Sequence, residues 1–539
     1  MKLKVTVIAL ATLFSVVLKS QNFVIGHNNI PYANSHWNET HSSAIILNNS
    51  IYNTFTGWQT GFSAFNIKKT NLNGNVVFWK EDSASYNASP SKLIAGNNRL
   101  YYICRNQLTV LDTNLALKYI STYTTAIPNN NWYFNDGLIA QNGDLVLIGA
   151  SANYSGNTYS NIQALVVRIN ATNGNLIYSK TFTNTTQCTA TSIVENTVNN
   201  SLFISGRVIN NGYTTFLLNI SNDNLGNLNS SKYFTPTNAT FKNIEVKKMI
   251  IKNSSLYLFG RDSAAKLVVT KTNLNLTATF QTQYFTNFIF ADVIKSTINN
   301  NFYITGYGPR TYTSVPLSIL QLDTLLSVTK SIIYPQILNK YDSLSNFSLD
   351  YYNGLNGAYS NFGASIFEKN NYIYTLSNKS NINSAYGLGN TNQYFTKEAT
   401  TFVSNCITNF SINTANYSYN IAPTTFTSNV ITASSYTQSS PISNIIPTVA
   451  VNCGAVTNIY NNTNQNVPKI YVYNKIVYLQ DVEFANSTFE IYTITGQKIF
   501  TTQLHYNQKQ IDVLNLTAGI YIYKLYYNFE VYSKKIVIE

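Results

Sequence analysis

A short pattern returns along this chain: a polar turn, an apolar strand, then a small residue or glycine. It reads NGDLVLIGA at Asn142–Ala150, NNSLFISGR at Asn199–Arg207, NSSLYLFGR at Asn253–Arg261 and NNNFYITGY at Asn299–Tyr307. Looser copies are NNRLYYICR at Asn97–Arg105 and KNNYIYTLS at Lys369–Ser377. The glycines Gly149, Gly206, Gly260 and Gly306 fall 57, 54 and 46 residues apart. A second apolar strand and a hairpin follow each copy, as in RINATNGNLIYSKTF at Arg168–Phe182; KTNLNGNVVFWK at Lys69–Lys80 fits the same frame. In the latter, Asn73-Gly74 predicts a type I′ turn, which needs φ > 0 at both central residues.

Counting the run before each pattern, a unit holds about four strands. A period of roughly 40–50 residues made of four short strands predicts a propeller blade. A lone four-stranded sheet leaves both faces open. Packed radially against its neighbours it buries both, and closure of the ring leaves no unit without a neighbour. The recurring glycine is expected where the chain leaves an inner strand and bends tightly. Six clear units and a weaker seventh, between about Ser42 and Pro447, predict seven blades. Six or eight are alternatives, and an open β-solenoid is the competing architecture. Gln336–Gly363 falls outside the frame and reads as an insertion. The units resemble the degenerate blades of secreted bacterial propellers, a likeness of fold that carries no function.

Composition agrees. Charged residues are 11% of the chain and aromatics 14%, with 41 Tyr and 29 Phe. Strand formers and turn formers dominate, so the fold class is all-β. The formal charge of +13 is scattered. It fits attraction to acidic glycans or to anionic surfaces, or solubility alone, better than nucleic acid, for which no binding module is visible. At the N-terminus, Lys2 and Lys4 precede apolar Val5–Leu18. This predicts a signal peptide over residues 1–20, with Gln21 first in the exported chain. No later apolar run predicts a membrane span. Export permits disulfides. The preferred pair is Cys406–Cys453, both near the end of the large region, and Cys104 and Cys188 read equally well as buried small hydrophobes.

Past Cys453 the texture changes. The large region is assigned to residues 21–449, a polar linker to 450–468, and a small antiparallel sandwich of about seven strands to 469–539. Its turns are expected at Asn474-Lys475, Thr495-Gly496 and Ala518-Gly519. Three motifs follow in order: FEIYTITGQKI (Phe489–Ile499), IDVLNLTAGIYIYKL (Ile511–Leu525) and KKIVIE (Lys534–Glu539). This segment closely resembles the type A C-terminal sorting domain of the type IX secretion system. Gly496, Gln497 and Lys498 match the first family motif. Leu516, Gly519, Ile520 and Tyr521 match the second, and Lys534, Lys535, Ile536 and Val537 the third. The resemblance implies passage to the periplasm and delivery by the type IX translocon and sorting machinery. The cargo would then be released into the medium or attached at the cell surface.

Titratable groups offer little chemistry. The four histidines are His27, His36, His41 and His505. The five-residue offset of His36 and His41 is not the one-turn spacing of a zinc helix, and on a strand the two would face opposite sides. No metal or cofactor is therefore expected, and no catalytic residue is assigned. Asp136, Asp144, Asp223, Asp262, Asp323 and Asp350 are expected mostly to cap turns. Glu81-Asp82 could pair in space with Asp350. Asn129–Gly137 and Gly306–Ser314, rich in Tyr, Asn and Trp, read equally well as recognition loops or as loops whose tyrosines only decorate the blade surface. Four tripeptides beginning at Asp82, Asp262, Asp323 and Asp342 resemble a bacterial O-glycosylation sequon. The expected function is non-catalytic binding or adhesion to a glycan or protein. A secreted glycosidase or lyase, with a site scattered over several blades, and a purely structural surface protein are the alternatives.

Overall fold

Each sequence repeat folds as one four-stranded, up-and-down antiparallel sheet. The computed structural model describes most of residues 38–340, 364–402 and 469–538, together with strands at 23–28 and between 407 and 453. Residues 1–22, Asn29–Trp37, Ser83–Ser91, Tyr341–Gly363, Asn381–Asn390 and Gly454–Pro468 lie outside the described residues, as do several shorter stretches, so the expected signal peptide is among them. These contain His36, Asp350 and the tripeptide at Asp342, and Cys406 falls in one of the shorter stretches. The preferred disulfide therefore lies outside the described residues. The chain divides into two compact units, Met1–Ala455 and Val456–Glu539.

In the larger unit, the first sheet is made of Asn38–Leu47, Ser50–Gln59, Phe62–Asn71 and Val76–Asp82. The second runs from Lys92 to Thr125, the third from Asn130 to Thr183 and the fourth from Cys188 to Pro236, each with its strands in chain order. The fifth and sixth are joined through one long strand, Gln281–Lys295. Its first part completes the sheet begun at Glu245, and its second part opens the sheet that ends at Lys340. The seventh has three strands, Ala364–Lys369, Tyr372–Ser380 and Thr391–Ala399. Its fourth is Phe23–Asn28, from the far end of the chain. The strand Val328–Lys340 pairs with Ser314–Leu322 on both sides of an irregularity in which Pro335, Gln336 and Ile337 have no partner, so the repeat's frame breaks where the insertion was expected to begin; the rest of that insertion, from residue 341, lies outside the described residues.

The segment after the seventh sheet was not anticipated. It visits every sheet in reverse order and adds one outer strand to each. Thr408–Asn409 pairs with sheet six, Thr414–Tyr417 with five, Tyr419–Pro423 with four and Thr427–Val430 with three. Ala433–Thr437 then pairs with sheet two, Ile442–Asn444 with one and Thr448–Cys453 with Phe23–Asn28 of sheet seven. The last of these strands crosses residue 450, where the linker was expected to begin. An outer strand presents a bare row of N–H and C=O groups, and this belt satisfies them.

Hydrophobic cores lie between successive sheets, not within one. In Leu145–Ser155, Val146 and Ile148 pack toward sheet four with Leu202 and Ile204, while Leu145 and Leu147 pack toward sheet two with Tyr101 and Ile103. Side chains alternate along a strand, so a strand buried on both faces reads as a continuous apolar run, which is why LVLIGA lacks the usual alternation. Cys104 and Cys188 are buried in two different cores, as small hydrophobes.

The recurring glycine is not at a bend. Gly149, Gly206, Gly260 and Gly306 sit within the second strand, opposite a β-bulge in the first strand of the same sheet. The bulge pushes a carbonyl toward the glycine. A Cβ would lie 1.8 Å from the Tyr133 oxygen at Gly149, 2.1 Å from that of Thr189 at Gly206 and 2.0 Å from that of Ile289 at Gly306. Close backbone approach excludes any side chain there.

The hairpin turn also differs from expectation. Only Gly74 has positive φ (85°), and Gly74 N–H donates to the Asn71 carbonyl while Asn71 N–H donates to that of Asn75. This is a three-residue loop with a bulge, not a two-residue type I′ turn. Leucines occupy the same left-handed position in sister hairpins: Leu115 (φ 61°), Leu276 (57°) and Leu326 (65°), all buried. The loop's first residue receives the preceding sheet. Tyr52 and Lys69 both donate to the Thr113 carbonyl (2.7 and 2.8 Å), and Tyr257 and Lys271 both donate to that of Thr324 (3.1 and 3.0 Å). In sheets two, three, four and six the hairpin is the acceptor that ties in the preceding sheet.

Candidate functional site

The C-terminal unit holds the residues singled out by motif. Its described strands form two sheets. One contains Lys469–Tyr473, Ile476–Gln480 and Gln510–Asp512; the other contains Lys498–Leu504, Ser487–Thr493, Gly519–Tyr527 and Glu530–Ile538. Val477, Phe489, Ile491, Tyr523, Leu525 and Ile536 are among the buried residues of their shared core. They recur at alternate positions because each strand buries one face.

The structure sorts the motif residues into two groups. Gly496, Leu516 and Tyr521 build the fold. Gly496 has φ 89° and closes a loop in which its N–H donates to the Thr493 carbonyl at 3.0 Å. A Cβ there would meet nothing within 4 Å, so glycine is needed for conformation and not for space. Leu516 packs against the core, and its carbonyl accepts Lys475 Nζ at 3.2 Å. Tyr521 is buried, and its hydroxyl donates to the Thr517 carbonyl at 2.8 Å. Gly519 begins its strand opposite Ile538. The expected turn at Ala518-Gly519 needs no left-handed residue at Gly519, whereas Lys475 in the first expected turn has φ 58°.

The second group faces solvent: Gln497, Lys498, Lys534 and Lys535. Lys498 reaches Glu490 at 3.1 Å. Lys534 and Lys535 lie on the edge strand Glu530–Ile538, where both consecutive side chains are exposed. Edge lysines also discourage pairing with another chain. Motif reading passed over an apolar patch: Ile520 and Val537 are cross-strand partners, 48% and 50% exposed, beside Ile522 and Lys535. Its trace in the sequence is the loss of alternation in Gly519–Ile522 and Ile536–Ile538, where apolar residues occupy both faces of an outer sheet.

The larger unit gathers charge on its first strands. Asp136 is buried in Asn130–Ile139, not in a turn; it pairs with Lys92 of sheet two at 3.1 Å and accepts Ile193 N–H of sheet four. Asp292 of sheet six pairs with Lys248 of sheet five at 2.8 Å and accepts Ile366 N–H of sheet seven. Lys92 is held above the usual lysine range, first by Asp136 and also by the more distant Asp292. Asp262 does cap its turn, as expected, accepting Lys266 N–H at 2.8 Å, and it is also buried and accepts the Tyr284 hydroxyl at 2.7 Å. Asp223 and Asp323 do cap hairpin turns, as expected, and Asp144 pairs with buried Arg168 at 2.9 Å. The expected loop Asn129–Gly137 is largely strand, and its Trp132 and Phe134 are core residues. The side chains of His41, Glu81 and Asp82 lie outside the described residues. Among the described residues, no three His, Cys, Asp or Glu side chains are grouped as a metal site, and no helix is long and apolar enough to cross a membrane.

Among solved structures, the chain is similar to the polysaccharide lyase Uly1, with a TM-score of 0.42 and 10% identity over 69% of this chain and 92% of that one. It is also similar to Trypanosoma rangeli sialidase in complex with 2,3-difluoro-KDN (TM-score 0.33, 10% identity, 66% of this chain and 52% of that one). Likeness of this degree carries no functional inference. No curated protein matches the sequence. Residues 457–539 match the secretion system C-terminal sorting domain family. The C-terminal unit is therefore a type IX sorting domain, and the chain that carries it is a secreted or cell-surface protein.

Proposed function

We propose that the larger unit is a closed seven-bladed β-propeller that acts, after delivery by the type IX translocon and sorting machinery, as a non-catalytic binding module for a glycan or a protein. Ring closure is supported by the N-terminal strand completing the seventh sheet, by the first sheet adjoining the seventh, and by the influence of Asp292 of sheet six on Lys92 of sheet two. The observation that carries the binding reading is the engagement of the inner-strand carboxylates. Asp136, Glu245 and Asp292 are each held by a lysine or arginine, and two of the three also accept an amide of the next sheet. Carboxylates spent on joining sheets are poor candidates for proton transfer, which needs a group free to change charge. The proposed assignments are a signal peptide over 1–20, a propeller over 21–449 extended by the belt to Cys453, a linker, and the sorting domain.

The test is mass spectrometry of surface, medium and periplasmic fractions, followed by binding and hydrolysis assays on a polysaccharide panel. Mature protein beginning near Gln21, found outside the cell and retained on a glycan without releasing reducing or unsaturated ends, is the expected result. Intact Glu539 on periplasmic protein would overturn the export route, and product release would replace the binder with the polysaccharide-acting enzyme.

A further inference from the structure

One sheet of the larger unit is finished from the far end of the chain. In the first six sheets the fourth strand follows the third directly in sequence. In the seventh, Thr391–Ala399 takes Phe23–Asn28 as its partner instead. Among the described residues, those same six residues are also the only strand that pairs with the last belt strand, Thr448–Cys453. Phe23–Asn28 is thus a central strand, paired on both sides. Neither the seventh sheet nor the belt is complete without it.

The register shows from which end the strand enters. Phe23 stands opposite Lys397, and Lys397 opposite Tyr374. Tyr52 with Lys69 and Tyr257 with Lys271 are the same cross-strand pair in sheets one and five. In all three sheets the lysine lies two residues before the end of its strand, at Asn71, Asn273 and Ala399. Phe23 therefore enters at the end where the other sheets carry their hairpins, as Phe78 stands opposite Lys69. The expected cut after Ser20 leaves only Gln21 and Asn22 between the signal peptide and Phe23. Two residues span at most about 7 Å. Ahead of them, Val5–Leu18 is the apolar segment that export places in the membrane. So short a tether denies the strand the freedom to turn and slide between two others. It could do so only with the hairpin ends of the seventh sheet and of its neighbours, sheets six and one, held flat against the lipid.

We propose that Phe23–Asn28 is a clasp that sets only after the signal peptide is cut away: the propeller stays open while its N-terminus is tethered, and closes, belt included, once that end is free. Folding is then completed only beyond the inner membrane. The proposal rests on the closed-ring reading of the larger unit and on the proposed signal peptide.

The experiment reads amide hydrogen exchange by peptide mass spectrometry in three forms of the full chain. These are the wild type, a Ser20→Tyr form that keeps Met1 because the cut needs a small residue, and that form with a Gly/Ser spacer of about ten residues after Asn22. In the wild type, Phe23–Asn28 and Thr448–Cys453 should exchange at least about a thousandfold more slowly than in the unfolded chain. In the Ser20→Tyr form both should lose that protection together, while Leu145–Ser155 of sheet three keeps it. The spacer should restore both strands, which separates a tethered clasp from a misfolded chain. Full protection of both strands in the Ser20→Tyr form without a spacer would overturn the clasp, and so would a loss that the spacer does not restore. A wild type that leaves Phe23–Asn28 unprotected would instead overturn the closed-ring reading itself.

Discussion

At the scale of single residues, identity is decided by what the neighbouring backbone leaves possible. Gly149 and Gly496 look alike in sequence and answer to different demands. At Gly149 the obstacle is the Tyr133 carbonyl at 1.8 Å from any Cβ, so Gly149→Ala must displace a strand. A loss of about 3 kcal/mol or more in denaturant unfolding is expected, the upper range of overpacking. At Gly496 only φ is at stake, and Gly496→Ala should lower the stability of the sorting domain by about 1–2 kcal/mol. Equal losses at the two sites would contradict this distinction. Lys247 is a second residue-scale case. Its folded value of about 8 lies below the unfolded 10.5, so the cost of keeping it charged is present in full below pH 8 and is relieved as pH rises toward 10.5. Its acylation by an amine-reactive reagent should therefore reach half-maximal rate near pH 8, read by peptide mass spectrometry. A midpoint near 10.5 would contradict the assignment.

At the scale of elements, the hairpins trade local strain for burial. Leu326 stands where glycine would be comfortable, at φ 65°, yet its side chain is fully buried between sheets. Leu326→Ala forfeits about 2–5 kcal/mol of packing and keeps the strain. Leu326→Gly forfeits the packing too, but relieves a left-handed backbone worth about 1–2 kcal/mol. Glycine should thus be less harmful than alanine here, the reverse of their order in an ordinary strand, and thermal melts of the two variants would tell. The belt makes a prediction of the same scale. A chain ending at Phe402 bares the outer strands that the belt covers, whereas one ending at Cys453 covers them. The shorter form should associate in size-exclusion chromatography, because bare edges template pairing between chains. A monomeric, protease-resistant shorter form would show the belt to be dispensable.

At the scale of the whole molecule, the two compact units divide the labour. The sorting domain presents Lys498, Lys534 and Lys535 to solvent on a fold held by Gly496, Leu516 and Tyr521. Removing residues 457–539 should leave the remainder folded and trapped in the periplasm, as read by fractionation and by the melting temperature of the truncated protein. Substituting Lys534 and Lys535 with glutamine should impair export without lowering that domain's stability. Tyr521→Phe should do the opposite, since its hydroxyl serves an internal bond.

The sequence by itself determined the unit and its period. Strand, turn and period are local: they follow from which residues fit a pleated, doubly buried strand and which fit a turn, and the motifs of the sorting domain sit close together along the chain. The tertiary structure alone decided the rest. Nothing local marks Gly149 as facing a bulge, because the carbonyl that excludes its side chain belongs to another strand. The same holds for Asp136, which reads as a turn residue and is a bridge between sheets, and for Trp132, which reads as a loop aromatic and is core. The belt was the least legible of all. Its strands are short, and each is stabilised by backbone hydrogen bonds to a sheet far away in sequence, so no periodicity of its own records the pairing. Glu245 shared that fate, since Arg261, which reaches it, lies on the neighbouring strand and only the sheet brings the two together.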